Sequence, residues 1–224
     1  MARIRGVILD LDGLLIDSEM WSWQAHNAAL HAYGNAPLTL DEVRRLVGLA
    51  NEDEWKTLRA MRELPPERQE YQVIARESFI AYRDRSLAPM PGVRELMSIV
   101  STANLRLALA SNSPLPSITA ALTGIGIRTY FAAVTSGDEV PLGKPAPDVY
   151  LKALERIGLQ AEEAIAIEDS QVGIRAATSA GLICLAVPNE LTIAQDLSAA
   201  HQQFTSLHGA GAWLAERLAE GLPI

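Results

Sequence analysis

Two aspartates two residues apart, Asp10 and Asp12, stand where the apolar run Val7–Leu9 ends, with Gly13 directly after them. In an extended chain alternate side chains share a face, so this spacing lets both carboxylates converge on one point. Delivering two anions to the end of a buried strand is unfavourable unless a cation or a reaction uses them. Taken alone, such a pair is also compatible with a turn or a simple cation site. Three further polar clusters close apolar runs in the same way. Ser111 and Asn112 follow Leu105–Ala110; a hydroxyl and backbone N–H groups at a strand-to-helix junction suit a phosphate oxygen, or merely cap a helix. Lys144 lies in Gly143-Lys144-Pro145-Ala146-Pro147-Asp148. The prolines hold their neighbours extended, and Pro147 suits a first helical turn. That fixes the lysine in a rigid loop, against the plainer alternative of a solvated one. Glu168 and Asp169 end Ala164–Ile167 and offer the oxygen ligands a hard divalent cation prefers, with an aspartate helix cap as the plainer reading. Four such clusters in order, each after a strand, point to one shared site.

The elements that must position them alternate in type. Short apolar runs at 6–9, 105–110, 131–135, 164–167 and 182–187 predict strands. Amphipathic stretches at 93–102, 116–124, 147–157 and 170–180 predict the intervening helices, the last with Ser170 as N-cap and Gly181 as its stop. This alternation implies an α/β fold, a Rossmann-like doubly wound parallel sheet. Between about Ser18 and Ala88 the alternation breaks into helices only, at 19–33, 39–47, 51–62 and 66–85, punctuated by Pro37, Pro65-Pro66 and Pro89-Met90-Pro91-Gly92. The expected organisation is a catalytic core over 1–17 and 89–224, with a helical cap inserted over 18–88. An insert directly after the carboxylate pair is placed to act as a lid.

Composition narrows the function classes. At 224 residues, 49% hydrophobic and 21% charged, the chain is long and apolar enough for a sizeable core. A net charge of −8 argues against a nucleic-acid groove or an anionic membrane surface, so an anionic substrate must be drawn in by a local cluster or a metal. The one cysteine, Cys184, permits no internal disulfide; set in Leu182–Val187, it reads as a buried structural thiol. Asp10, Asp12 and Asp17 interrupt what would otherwise resemble a secretory leader, and no apolar segment is long enough to span a bilayer. The expected location is cytoplasmic; no oligomeric state is fixed, and a monomer is compatible with the sequence.

The segments DLDGLLIDSE, ASNS, GKPAPDVY and IEDSQVGI resemble the four ordered motifs of the haloacid dehalogenase superfamily, and the resemblance covers nearly the whole chain. It implies a phosphatase, with the insert matching the small cap of the phosphatase and β-phosphoglucomutase branch. It further implies Asp10 as the nucleophile that becomes an aspartyl-phosphate, and Asp12 as the acid and base. Mg2+ would be held by Asp10, the carbonyl of Asp12, Asp169 and Glu168, the last directly or through water. Ser111, the Asn112 backbone and Lys144 would bind the transferring phosphoryl group. The substrate so implied is a small phosphorylated metabolite such as a sugar phosphate.

Other branches fit less well. Dehalogenases of this superfamily lack the second aspartate, which is Asp12 here. A phosphonate hydrolase needs a cap lysine, and Lys56 stands mid-helix with no motif around it. The main alternative is a sugar phosphomutase. β-Phosphoglucomutases carry a cap histidine where this chain has Ser22, and basic groups where the loop 46–51 has Val47 and Asn51. A non-catalytic phosphate-binding protein is the remote alternative, since no named role is vacant. His26 and His31 are five apart, unsuited to a shared metal face; Trp21, Trp23 and Trp55 read as cap packing, and Arg44, Arg45, Arg76 and Arg83 as solvated.

Overall fold

The structure, a computed structural model, describes residues 3–49, 51–65 and 67–220. Ala50 in the cap loop and Pro66, the expected start of the last cap helix, lie outside that set, as do the two termini. The chain divides into two compact units: Asp17–Leu87, and the residues up to Ile16 together with those from Ala88 onward.

The second of these units is built on a six-stranded sheet in the order β3-β2-β1-β4-β5-β6, with every neighbouring pair parallel. The strands are β1 (Gly6–Leu9), β2 (Arg106–Ser111), β3 (Ala133–Ser136), β4 (Ala164–Glu168), β5 (Ile183–Ala186) and a two-residue β6 (Gln202–Gln203). Val7, Ile8 and Leu9 of β1, Leu107–Ala110 of β2 and Ile165–Ile167 of β4 are all buried. Continuous apolar runs of this kind belong to strands covered on both faces. The chain runs from β1 to β2 and β3 on one side, then returns past β1 to β4 and β5 on the other. The sheet therefore has its topological switch at β1, and ligands of such sheets bind beyond the carboxyl ends of the strands at that point. Asp10 follows β1 there, between the ends of β2 and β4.

Among the described residues five α-helices complete this unit. A helix whose apolar positions match its period covers the sheet with one stripe. The helix at Asp148–Ile157 does so with Val149, Tyr150, Ala153, Leu154 and Ile157, and the one at Gln171–Ser179 with Ile174, Ala176 and Ala177. Ser170 caps the latter, its Oγ accepting from Gly173 N at 3.2 Å. The remaining three lie at Val93–Thr102, Leu115–Gly124 and Leu207–Glu220. Cys184 is buried in β5, and burial pushes its thiol well above the usual range.

In the other unit the helices are α1 (Ser18–Ala32), α2 (Leu40–Arg44), α3 (Asn51–Met61) and α4 (Arg68–Ser86). In chain order the core helices are then α5 (Val93–Thr102), α6 (Leu115–Gly124), α7 (Asp148–Ile157), α8 (Gln171–Ser179) and α9 (Leu207–Glu220). The helical unit begins at Asp17 because that carboxylate accepts from Met20 N (3.4 Å) and starts α1. α2 ends sooner than the 39–47 expected. Its last turn tightens, with Leu46 N bonded to Val43 O at 2.8 Å, before Gly48 takes a φ of +85° that residues with a side chain rarely adopt. No helix among the described residues is long and apolar enough to cross a membrane.

Candidate active site

β1 and β4 deliver their carboxylates side by side. Asp10, Glu168 and Asp169 are all buried, and one oxygen from each lies within 4.8 Å of the others. Lys144, from the loop before α7, reaches into this group with only 6% of its side chain exposed. Its Nζ donates to Asp10 Oδ1, and to Glu168 Oε1 at 2.6 Å. Two carboxylates thus share one ammonium. Burial, opposed by the Lys144 charge and reinforced by those of Glu168 and Asp12, pushes the Asp10 carboxyl up to about 8. Burial also pulls on Lys144, but the Asp10 and Glu168 charges outweigh it and hold the ammonium above its ordinary range. In this state Lys144 is charged and Asp10 keeps its proton to about pH 8.

Asp12 sits apart from that group, on β2's side. Its Oδ2 accepts from Ser111 Oγ (3.1 Å) and Ser113 Oγ (2.7 Å). Ser111, the last residue of β2, is fully buried and also accepts from Ser113 N at 3.0 Å. The side chain of Asn112 points elsewhere: it donates to Lys144 O (3.1 Å) and accepts from Lys144 N (2.8 Å). That pairing locks the lysine loop to the end of β2. A Cβ on Gly143 would approach the Asn112 amide oxygen at 2.8 Å, so the glycine lets the loop close on Asn112 without displacing its amide.

Four residues at the site escape the sequence reading. Ser113 shares the spacing of two that singles out Asp10 and Asp12, which would have marked it. Tyr150, fully buried on α7, donates from its hydroxyl to Glu168 Oε1 at 2.6 Å; burial and the Glu168 charge keep that phenol protonated. Gly173 leaves room for Glu168, whose carboxylate occupies the place a Cβ would take. Asn189, in the loop after β5, donates Nδ2 to Asp169 Oδ2 (2.8 Å) and to Gly13 O (3.2 Å). Its Oδ1 accepts from Leu191 N and Thr192 N, so all of its amide is used and its orientation is set. No local pattern marks Asn189.

The donor set suits a hard cation. Three buried carboxylates converge, two of them on one ammonium, and a divalent ion bound by oxygen ligands would offset the excess negative charge. Glu168 has the least to offer such an ion, because its oxygens already accept from Lys144, Tyr150, Asp169 N and Ser170 Oγ.

Residues 7–187 match the haloacid dehalogenase-like hydrolase family. The chain belongs to it. The match spans both units and all four strand-end clusters. Among curated relatives, the phosphorylated carbohydrates phosphatase of Thermotoga maritima is 32% identical over 179 residues, covering 80% of this chain and 82% of that protein. The fructose-1-phosphate phosphatase YqaB of Escherichia coli is 32% identical over 185 residues, covering 80% and 94%. Among solved structures, a mutant of CbbY from Rhodobacter sphaeroides in complex with xylulose-(1,5)bisphosphate superposes with a TM-score of 0.78 at 28% identity, over 93% and 98% of the two chains. The family member described here is a hydrolase, and its relatives set it among enzymes of phosphoric monoesters.

Proposed function

We propose that the protein is a Mg2+-dependent phosphatase of a small sugar phosphate, working through a phosphorylated Asp10. The observation that carries this reading is the contact of Asp10 with Lys144, beside Glu168 and Asp169 and next to an Asp12 anchored by two serine hydroxyls. The names of the Thermotoga and Escherichia relatives support the sugar phosphate.

Asp10, ionised, attacks phosphorus, and the ester P–O bond breaks. The leaving oxygen takes a proton from Asp12, which Ser111 and Ser113 orient through Oδ2. Asp12, now a carboxylate, removes a proton from water; the hydroxide attacks phosphorus, the bond to Asp10 breaks, and both aspartates return to their starting states. Lys144, steered by Glu168 and through it by Tyr150, holds the phosphoryl oxygens, together with the Ser111 hydroxyl and the backbone of Asn112. Asp10, the Asp12 carbonyl and Asp169 would hold Mg2+, with Glu168 contributing through water because its own oxygens are committed. Bound Mg2+ offsets the repulsion between an anionic nucleophile and an anionic phosphate and stabilises charge on the transferring group.

The test is phosphate release from a panel of sugar and nucleoside monophosphates, with and without Mg2+, beside isomerisation of β-glucose 1-phosphate. Metal-dependent release is the expected result. Isomerisation with little release would replace hydrolysis by phosphomutase chemistry. A second expectation concerns Asn189, which orients Asp169. Partners that orient a metal ligand typically contribute about 10- to 100-fold in affinity, so Asn189→Ala is expected to weaken Mg2+ binding by that factor. Calorimetric titration with Mg2+ alone measures it; an unchanged affinity removes Asn189 from the metal's support.

A further inference from the structure

Ser111 and Ser113 orient Asp12, yet β2 ends at Ser111, so Ser113 lies beyond the strand ladder. Its place is set from β3. Ser136, the last residue of β3 and fully buried, stands opposite Ser111 in the parallel register. The Ser136 hydroxyl donates to Ser113 O at 2.7 Å. Gly137, the next residue, lies so close to the loop after β2 that a Cβ on it would sit 3.0 Å from Asn112 O. Ser136 is itself held on two sides. Its N–H donates to Glu139 Oε2 (2.9 Å), and its Oγ accepts from Asp138 N (3.1 Å). Arg156 of α7 grips Glu139 with two bonds, Nη2 to Oε1 at 2.6 Å and Nη1 to Oε2 at 3.0 Å. The Arg156 hydrogen bonds, then the one from Ser136 N, hold the Glu139 carboxyl down to about 2, which keeps it an acceptor at neutral pH. All of these residues belong to the unit that carries the sheet.

A serine ahead of a short turn commonly does no more than cap it. Capping uses the lone pairs of Ser136 Oγ, which accept from Asp138 N; the hydroxyl proton is spent separately, on Ser113 O. That second bond bears on Asp12 twice. Ser113 Oγ donates to Asp12 Oδ2 directly, and Ser113 N donates to Ser111 Oγ at 3.0 Å, which leaves the Ser111 proton for Asp12. A shift of Ser113 therefore disturbs both hydroxyls on the carboxylate. Proton transfer needs its donor within hydrogen-bond reach of the reacting oxygen. Resting on the phosphatase reading of the core, we infer that Ser136 is a positioning residue for proton transfer by Asp12. It acts through Ser113 and is kept in place by Glu139 and Arg156.

The experiment compares kcat/KM for the best sugar monophosphate of the panel above with that for p-nitrophenyl phosphate, at saturating Mg2+. p-Nitrophenolate departs as an anion, whereas the alkoxide of a sugar needs the proton of Asp12. Ser136→Ala is expected to lower kcat/KM for the sugar ester by about 10- to 100-fold, the scale of a misplaced catalytic group, and for the aryl ester by no more than about threefold. The sugar-ester loss should lie in kcat rather than KM, because substrate binding is untouched. Glu139→Ala, which alters a partly exposed carboxylate, should move the ratio of the two esters in the same direction. Thr135→Val, which removes the neighbouring buried hydroxyl of β3, should leave the ratio as it is. A loss shared equally by both esters would make Ser136 a structural residue and overturn the inference, with the phosphatase reading left standing. So would an equal fall of the ratio in Thr135→Val, or, should Ser136→Ala fail to fold, an unchanged ratio in Glu139→Ala. No Mg2+-dependent release from either kind of ester would take down the phosphatase reading, and this inference with it.

Discussion

Asp10→Asn should abolish phosphate release, by about 10^4-fold or more, the scale on which enzymes lose turnover when the attacking group is removed. The amide keeps the size of the carboxyl and an oxygen for the Lys144 ammonium, so the fold is expected to survive. Its effect on stability has a definite sign. In an unfolded chain an aspartate ionises near pH ~4, whereas buried Asp10 holds its proton to about 8. Between those values the unfolded state has lost a proton that the folded state retains, so metal-free wild type becomes less stable as pH rises through that window. The slope is at most about 1.4 kcal/mol per pH unit. The variant lacks the titrating group and should lack its share of the slope. Urea denaturation at pH 5 and pH 8, beside an assay of phosphate release, reads both effects. Release within about tenfold of wild type would exclude the covalent route, since an amide cannot replace the carboxylate as nucleophile.

The same titration gives a physical reason for the proposed cation beside the lysine. Lys144 alone does not bring Asp10 to its reactive charge state at neutral pH; a second positive charge in contact with it would. Wild type should therefore release a proton on binding Mg2+ near pH 7, and Asp10→Asn should not.

What the sequence made legible follows from where the chemistry lies along the chain. A parallel sheet gathers its site from strand ends, and each end is a contiguous run in which an apolar stretch gives way to polar residues. β1 appears as Gly6–Leu9 in the sequence pattern and in the structure alike, and Asp10, Ser111, Lys144, Glu168 and Asp169 stand out through such local contrast. Support for those residues arrives from a distance and leaves no local trace. Asn189 meets Gly13 across 176 residues, and Tyr150 meets Glu168 from a helix where it looks like any buried aromatic. Gly173 resembles a poor helix residue until Glu168 is seen to occupy its missing Cβ. α9 was obscured differently. Leu207, Ala210, Gly211 and Leu214 have helical spacing, but Gly209 and Gly211 lower the helix propensity. Gly211 sits where a Cβ would crowd the end of the Ile99 side chain on α5 at 3.1 Å.

Lys144→Met is expected to damage the protein in two separable ways. It removes the ammonium from two carboxylates that are 8% and 0% exposed, and breaking a buried ion pair from one side typically costs about 3–5 kcal/mol. Wild-type Lys144, held above its ordinary range, stays charged across neutral pH and contributes its stabilisation throughout. Without it the Asp10 carboxyl is raised further still. Wild-type Asp10 already keeps its proton to about 8, so both proteins lose its share of stability alike below that pH, and the deficit should widen only above it, where the wild-type carboxyl ionises and the variant's does not. On the proposed reading, Mg2+ held by the folded acidic cluster should recover part of the stability at pH 9 by mass action. Turnover should remain about 10^3-fold down, because the charge that faces the transferring phosphoryl group is still missing. Urea denaturation at pH 7 and pH 9 with and without Mg2+, read against phosphate release, separates the two losses. Equal deficits at pH 7 and pH 9 would mean that Lys144 does not offset the Asp10 charge, and turnover within tenfold of wild type would remove it from the phosphoryl site.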